Sequence, residues 1–283
     1  MKKILPIFIT LSTLLTSCSV TNEQSDKLTV YTSFYAMNDF VKTIGGEDIV
    51  YHYIVPAGTE PHGFEPTASD MAKLSEADVF VYNGGGIDAW AEKIADTLPD
   101  SVTVVCASEN IKADANDPHI WLNLENADKQ LESIYKAFST ADSKNTQNYL
   151  DRLTQYSAQI DELEKEYENA NLAGKKLFVT HGAYGYLCSE FGMEQIALEG
   201  VSGDSDPSPA QMAAMVEQIK SEGAKCIFYD PLEGDKTARA VADEAGVEIR
   251  PLYTFESDLD REHRDYLTVM RENLEQLKQA FGS

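Results

Sequence analysis

Apolar and polar residues alternate over 28–32, the period of a strand with one face buried. Amphipathic stretches at 38–44, 68–74 and 87–98 read as helices, and short apolar runs at 49–55, 79–82 and 102–105 read as strands. Thr67-Ala68-Ser69-Asp70 has the form of a capping box and marks where the second of these helices starts. Strand and helix alternate, which predicts a mostly parallel sheet with helices on both faces.

The middle of the chain follows another period. Residues 126–138 and 143–170 contain neither Gly nor Pro, and Leu150, Leu153, Tyr156, Ile160, Leu163 and Tyr167 recur every three or four positions. That is one apolar stripe on a helix of about 28 residues, roughly 42 Å long at 1.5 Å per residue. It lasts only about three heptads, a short seam for a coiled-coil dimer, so it predicts a connecting strut. Beyond it, strands are expected at 176–180, 195–198, 225–229 and 247–250, with helices at 183–191, 236–245 and 262–281. Ser208-Pro209 offers an N-cap serine and a proline at the first helical position for one more helix, to about residue 221. The expected fold is α/β: two lobes, each a mostly parallel sheet flanked by helices, joined by one long spanning helix. Its expected divisions are 28–125, 126–173 and 174–283. Two lobes on a strut enclose a cleft, the usual place for a small ligand.

The start of the chain speaks to compartment. Lys2 and Lys3 precede an apolar run at 4–15 that is too short to span a bilayer as a mature helix. It ends in Leu15-Thr16-Ser17-Cys18: a branched residue, two small ones and a cysteine, the form of a bacterial lipobox. Residues 1–17 are therefore expected to be a lipoprotein signal peptide, with Cys18 the acylated (palmitate-bearing) first residue of the mature chain. Residues 18–27 are polar and aperiodic and read as a tether. The protein is expected to sit on the outer face of the cytoplasmic membrane, held there by its acyl anchor, as a monomer. A hydrophobic share of 43% is ordinary, and no later stretch approaches transmembrane length. The net charge of −24 argues against a nucleic-acid partner and against adsorption to anionic lipid, and it favours the approach of cations. Cys106, Cys188 and Cys226 are odd in number and lack CxxC spacing, so they read as structural thiols, not a disulfide framework.

Three of the five histidines stand in separate, turn-rich segments: His62 in Pro61-His62-Gly63-Phe64-Glu65-Pro66, His119 in Asp117-Pro118-His119-Ile120-Trp121, and His181 in Val179-Thr180-His181-Gly182. Each sits where a strand or loop hands over to the next element, which is where α/β proteins place ligands. Three imidazoles gathered there would suit a borderline transition metal, zinc first. His52 lies inside a predicted strand and His263 on the predicted last helix, and both read as structural.

These segments carry a resemblance. Gly58-Thr59-Glu60-Pro61-His62-Gly63-Phe64-Glu65-Pro66-Thr67, Asp117-Pro118-His119-Ile120-Trp121-Leu122, Thr180-His181-Gly182-Ala183-Tyr184, Asp206-Pro207-Ser208-Pro209-Ala210 and Ala245-Gly246-Val247 resemble the substrate-binding lipoproteins of bacterial zinc and manganese ABC transporters, the cluster A-I metal-binding proteins, of the zinc type. The resemblance implies two lobes holding one metal between them, with the joining helix limiting how far they open. It places His62, His119 and His181 on three ligand positions and draws a fourth ligand from an acidic residue late in the second lobe. Glu256 is the choice there, with Asp258 behind it and Glu60 a third candidate near the first histidine. It further implies that the chain captures Zn2+ and delivers it to an ABC permease.

Where relatives that carry manganese have a carboxylate, this chain has His181, and three imidazoles with one carboxylate favour zinc over manganese or iron. The second shell should hold each free ring nitrogen with a carbonyl or carboxylate. Zinc-specific members often carry a long His-rich loop before the second histidine; here residues 110–117 are short, acidic and free of histidine. Two other classes compete. A zinc hydrolase would use Glu256 or Glu60 as base, but HExxH, HxH and GxSxG motifs are all missing. A surface adhesin has no visible interface in the sequence. The chain is expected not to be an enzyme.

Overall fold

The structure, a computed structural model, describes residues 27–112, 114, 116–201, 207–257 and 264–282. In chain order the elements are β1 (Leu28–Thr32), α1 (Tyr35–Gly45), β2 (Ile49–Tyr53), α2 (Ala68–Ser75), β3 (Val79–Tyr82), α3 (Ala89–Ala95) and β4 (Thr103–Cys106). Two helices follow, α4 (Leu124–Ala141) and α5 (Thr146–Glu168). The remainder is β5 (Lys176–Val179), α6 (Gly185–Phe191), β6 (Glu194–Ala197), α7 (Pro209–Glu222), β7 (Cys226–Tyr229), α8 (Lys236–Ala245), β8 (Glu248–Pro251) and α9 (Tyr266–Phe281). The signal peptide, Cys18, residues 18–26 of the tether, Asp258 and His263 lie outside the described residues. No helix among the described residues is long and apolar enough to cross a membrane.

Two four-stranded sheets form, with orders β2-β1-β3-β4 and β6-β5-β7-β8, and every pairing is parallel. The two sheets share one winding, so the expected α/β fold of two helix-flanked lobes is the observed one. Central strands are apolar on both faces because helices cover both: Val79, Phe80 and Val81 of β3 and Leu177, Phe178 and Val179 of β5 are all buried. The edge strand β2 alternates, with Ile49 buried, Tyr51 and Tyr53 half-buried, and Val50 and His52 exposed. Both capping boxes exist, Thr67 with Asp70 on α2 and Ser208 with Gln211 on α7, the latter with Pro209 at the first position. The last helix starts later than expected: Tyr266 opens α9, and Asp265 caps it by accepting from the Thr268 amide.

The strut is α5, and it is shorter than its composition suggests. It has 23 residues, because Ser143–Asn145 is a 3-10 turn and the chain leaves the helix after Glu168. At 1.5 Å per residue it is about 34 Å long instead of roughly 42 Å. Its buried face also begins one residue earlier. Tyr149 is buried while Leu150 is exposed, which gives the set Tyr149, Leu153, Tyr156, Ile160, Leu163 and Tyr167 in steps of four and three. α5 packs on α4, α1 and α9. The Tyr167 hydroxyl donates to the Met270 carbonyl of α9 at 2.7 Å. One continuous core runs from Val30 and Phe80, through these helices, to Tyr184, Leu252 and Phe255 of the second lobe. A smaller core around Phe178, Ile219, Ile227 and Val241 closes the outer face of the second sheet.

Candidate metal centre

The candidate ligands stand in loops leaving the carboxyl ends of both sheets, the general position of ligand sites in open α/β sheets. His62 lies in the loop after β2, His119 in the loop after β4, His181 just beyond β5 and Glu256 beyond β8. Among the described residues these four form one group, with ligand atoms all within 4.8 Å of one another. His62 Nε2 is 3.3 Å from His119 Nε2, and His119 Nε2 is 3.1 Å from Glu256 Oε1. A tetrahedron with zinc bonds near 2.0–2.1 Å has edges of about 3.3–3.4 Å. Two of the edges are thus already close to closing length.

Each histidine is braced by its own neighbours. Asp117 Oδ1 accepts from the His119 backbone amide at 3.0 Å and lies 2.8 Å from Nδ1. With Nδ1–H directed at that carboxylate, Nε2 is left with its lone pair towards the other ligands. Gly185, at the start of α6, lets the second lobe come this close: a Cβ there would stand 2.3 Å from Asp117 Oδ2. The His62 amide donates to Glu60 Oε1 at 2.8 Å, while that oxygen is 3.8 Å from His62 Nε2. Glu60 therefore shapes the loop beneath His62 and stands outside the four-residue group. His181 Nε2 donates to the Val201 carbonyl at 3.0 Å. Its Nδ1 lies 2.9 Å from Glu233 Oε1, a charge contact off the axis of a hydrogen bond.

Electrostatics follow from this packing. Burial alone would lower the pKa of His181, but the Glu233 and Glu256 carboxylates outweigh it and hold the imidazole up at about 10. Burial opposes charge on His119 too, and Asp117 and Glu256 again raise its pKa. Glu256 is only 2% exposed. Burial would raise its pKa, but the contact with His119 and the charges of the three histidines lower it, so it is ionised. Neither of its oxygens receives an aligned hydrogen bond. The charged imidazoles meet this buried carboxylate, and the cluster has the donor set of a zinc site.

The turn that presents Glu256 is unusual. Phe255 has φ +64°, the left-handed region that a bulky side chain enters at a cost of about 1–3 kcal/mol. The Thr254 amide and hydroxyl both donate to Asp230, and the Trp121 indole donates to the Thr254 carbonyl at 2.7 Å. Burial pushes Asp230 up to about 7, with the Glu256 charge adding to the effect. On the far side of Glu256, the Ser257 hydroxyl accepts from the Gly58 amide.

All four preferred site residues come together. His52 stays in β2, its ring tilted against Tyr31 at 5.0 Å and away from the cluster. The three thiols are free, Cys188 and Cys226 buried and Cys106 partly so. Sequence reasoning missed Glu233, Asp230 and the left-handed Phe255. Of the braces, only Asp117 carried a signal, since it precedes His119 by two residues in a tight Asp-Pro-His turn.

Comparison with known proteins finds relatives along nearly the whole chain. The profile of the family described as ZnuA, zinc-uptake complex component A, periplasmic, matches residues 30–280. The chain is 32% identical over 285 residues to the high-affinity zinc uptake system protein ZnuA of Bacillus subtilis, covering 92% of this chain and 89% of that protein. It is 30% identical over 306 residues to the zinc-binding lipoprotein AdcA of Streptococcus pneumoniae, covering 99% of this chain but only 61% of AdcA. This chain thus spans about three-fifths of that longer relative. The crystal structure of the Zn(II)-bound ZnuA-like domain of Streptococcus pneumoniae AdcA superposes with a TM-score of 0.81 at 30% identity, covering 91% of this chain and all of that domain.

Proposed function

The chain belongs to the zinc-uptake complex component A family, and on that footing we propose that it captures Zn2+ between its lobes and delivers it to an ABC permease for uptake. His62, His119, His181 and Glu256 are the ligands in this reading. The observation that carries it is the Glu256 carboxylate, buried and without an aligned hydrogen bond at either oxygen, facing three imidazoles. Residues 28–125 and 174–283 act as the two jaws, and 126–173 joins them. Residues 1–17 serve as leader, and Cys18 with the tether to residue 27 anchors the monomer to the outer face of the cytoplasmic membrane.

Zinc is preferred over manganese because three nitrogen donors and one carboxylate make a compact four-coordinate set, whereas manganese favours more oxygens and a higher coordination number. The same geometry supports carriage over catalysis. Four protein donors close the shell and leave no coordination position for a reacting water, which a catalytic zinc needs. His119, His181 and Glu256 are each at most 2% exposed.

The test is metal content and competition on protein lacking residues 1–18, purified without a histidine tag. One zinc per chain that excess manganese fails to displace is the expected outcome; a chain that holds no metal, or takes manganese in preference, would overturn the assignment. Asp117→Ala should weaken zinc binding by about 10–100-fold, as loss of an outer-shell partner does, in titration against a chelating dye. An unchanged affinity would remove Asp117 from the site.

A further inference from the structure

Glu256 differs from its companions in how it is aimed. Asp117 fixes the His119 ring, and the Val201 carbonyl holds the His181 ring. No aligned hydrogen bond directs the Glu256 carboxylate, so its direction comes from the backbone turn that carries it. That turn depends on Phe255, a bulky residue at φ +64° where glycine or asparagine would sit without strain. The Phe255 ring is buried, edge-on to Tyr35 of α1 at 5.1 Å and to Tyr266 of α9 at 5.8 Å.

We propose that Phe255 is the positioning residue for Glu256: its ring, wedged between Tyr35 and Tyr266, holds the turn left-handed and so swings the carboxylate into the three histidines. The proposal rests on the zinc-carrier reading and deepens it. Three of the contacts that fix the turn come from the first lobe: Tyr35 against the ring, the Trp121 indole on the Thr254 carbonyl and the Gly58 amide on Ser257. A second-lobe ligand is therefore aimed by the first lobe. When the lobes part, these contacts go together, the strained residue relaxes to negative φ, and Glu256 swings out of the ligand set. Strain here favours release, and the wedge holds it in check.

A double-mutant cycle tests the wedge, with Phe255→Gly and Phe255→Leu each made in the wild-type and Glu256→Gln backgrounds. Glycine accepts the φ value but loses the ring; leucine keeps apolar bulk in the slot. Phe255→Gly should weaken zinc binding and speed its dissociation by about tenfold or more, and Phe255→Leu by no more than about threefold. In the Glu256→Gln background, Phe255→Gly should add less than about twofold, because two residues acting through one contact are not additive. A glycine variant with wild-type affinity, or one that loses the same factor in both backgrounds, would overturn the proposal. So would a leucine variant as weak as the glycine one. Wild-type protein that holds no zinc would instead bring down the carrier reading itself.

Discussion

His119→Ala is expected to lower zinc affinity by about 100- to 1,000-fold. Structural zinc sites are worth about 10–16 kcal/mol at neutral pH, so each of four ligands carries roughly 2.5–4 kcal/mol. His119 should lie at the upper end, because it is the ligand nearest to two of the others, His62 Nε2 and Glu256 Oε1. Its loss also strips the buried Glu256 of its closest positive partner and frees Asp117 to point elsewhere. His119→Gln retains most of the volume and a polar tip, and should lose affinity while melting close to wild type. Competition against a zinc-chelating dye, paired with a thermal melt, measures both. An alanine variant within threefold of wild type would take His119 out of the ligand set.

Acidification is expected to loosen zinc by at least about 100-fold between pH 7.5 and 5.5, a factor of ten per unit for each proton displaced. The direction follows from the metal-free pKa values. His181 is held up at about 10 and His119 is also raised, so His181 is protonated throughout this range and must shed its proton to bind metal. Calorimetry in two buffers of different ionisation enthalpy should register at least one proton released per zinc at neutral pH. Stability of the metal-free protein runs the other way. A histidine whose pKa folding has raised contributes fully below its ordinary value of 6.5, and that contribution is lost as pH climbs through about 10. Alkali should therefore weaken the empty protein in the same range where it strengthens metal binding. A flat affinity between the two pH values would count against histidine ligation.

Much of this molecule is legible in its sequence, and the failures have physical causes. The strands and the capped helices follow from alternation and from Thr67 and Ser208, which are local signals. The three histidines stand out because each lies in a turn beside Gly or Pro. Local signals fail where a decision is made across the fold. Tyr149 is preferred to Leu150 on α5 because a buried stripe steps by four and three, and tyrosine can also reach Asp142 with its hydroxyl at 2.9 Å. Glu233 meets His181 from 52 positions away, a separation that no local motif spans. Phenylalanine is among the last residues a reader would place at positive φ, so the turn before Glu256 shows itself only once Tyr35 and Tyr266 are seen around it.

Each lobe brings two donors, His62 and His119 from one and His181 and Glu256 from the other. The centre is thus a chelate made of two bidentate halves, and its tightness depends on the effective concentration at which one pair meets the ion held by the other. Either pair alone would command about half of the roughly 10–16 kcal/mol of a full site, leaving an affinity no better than about micromolar. A small rotation of one lobe against the other can then change affinity by several orders of magnitude without altering a single ligand.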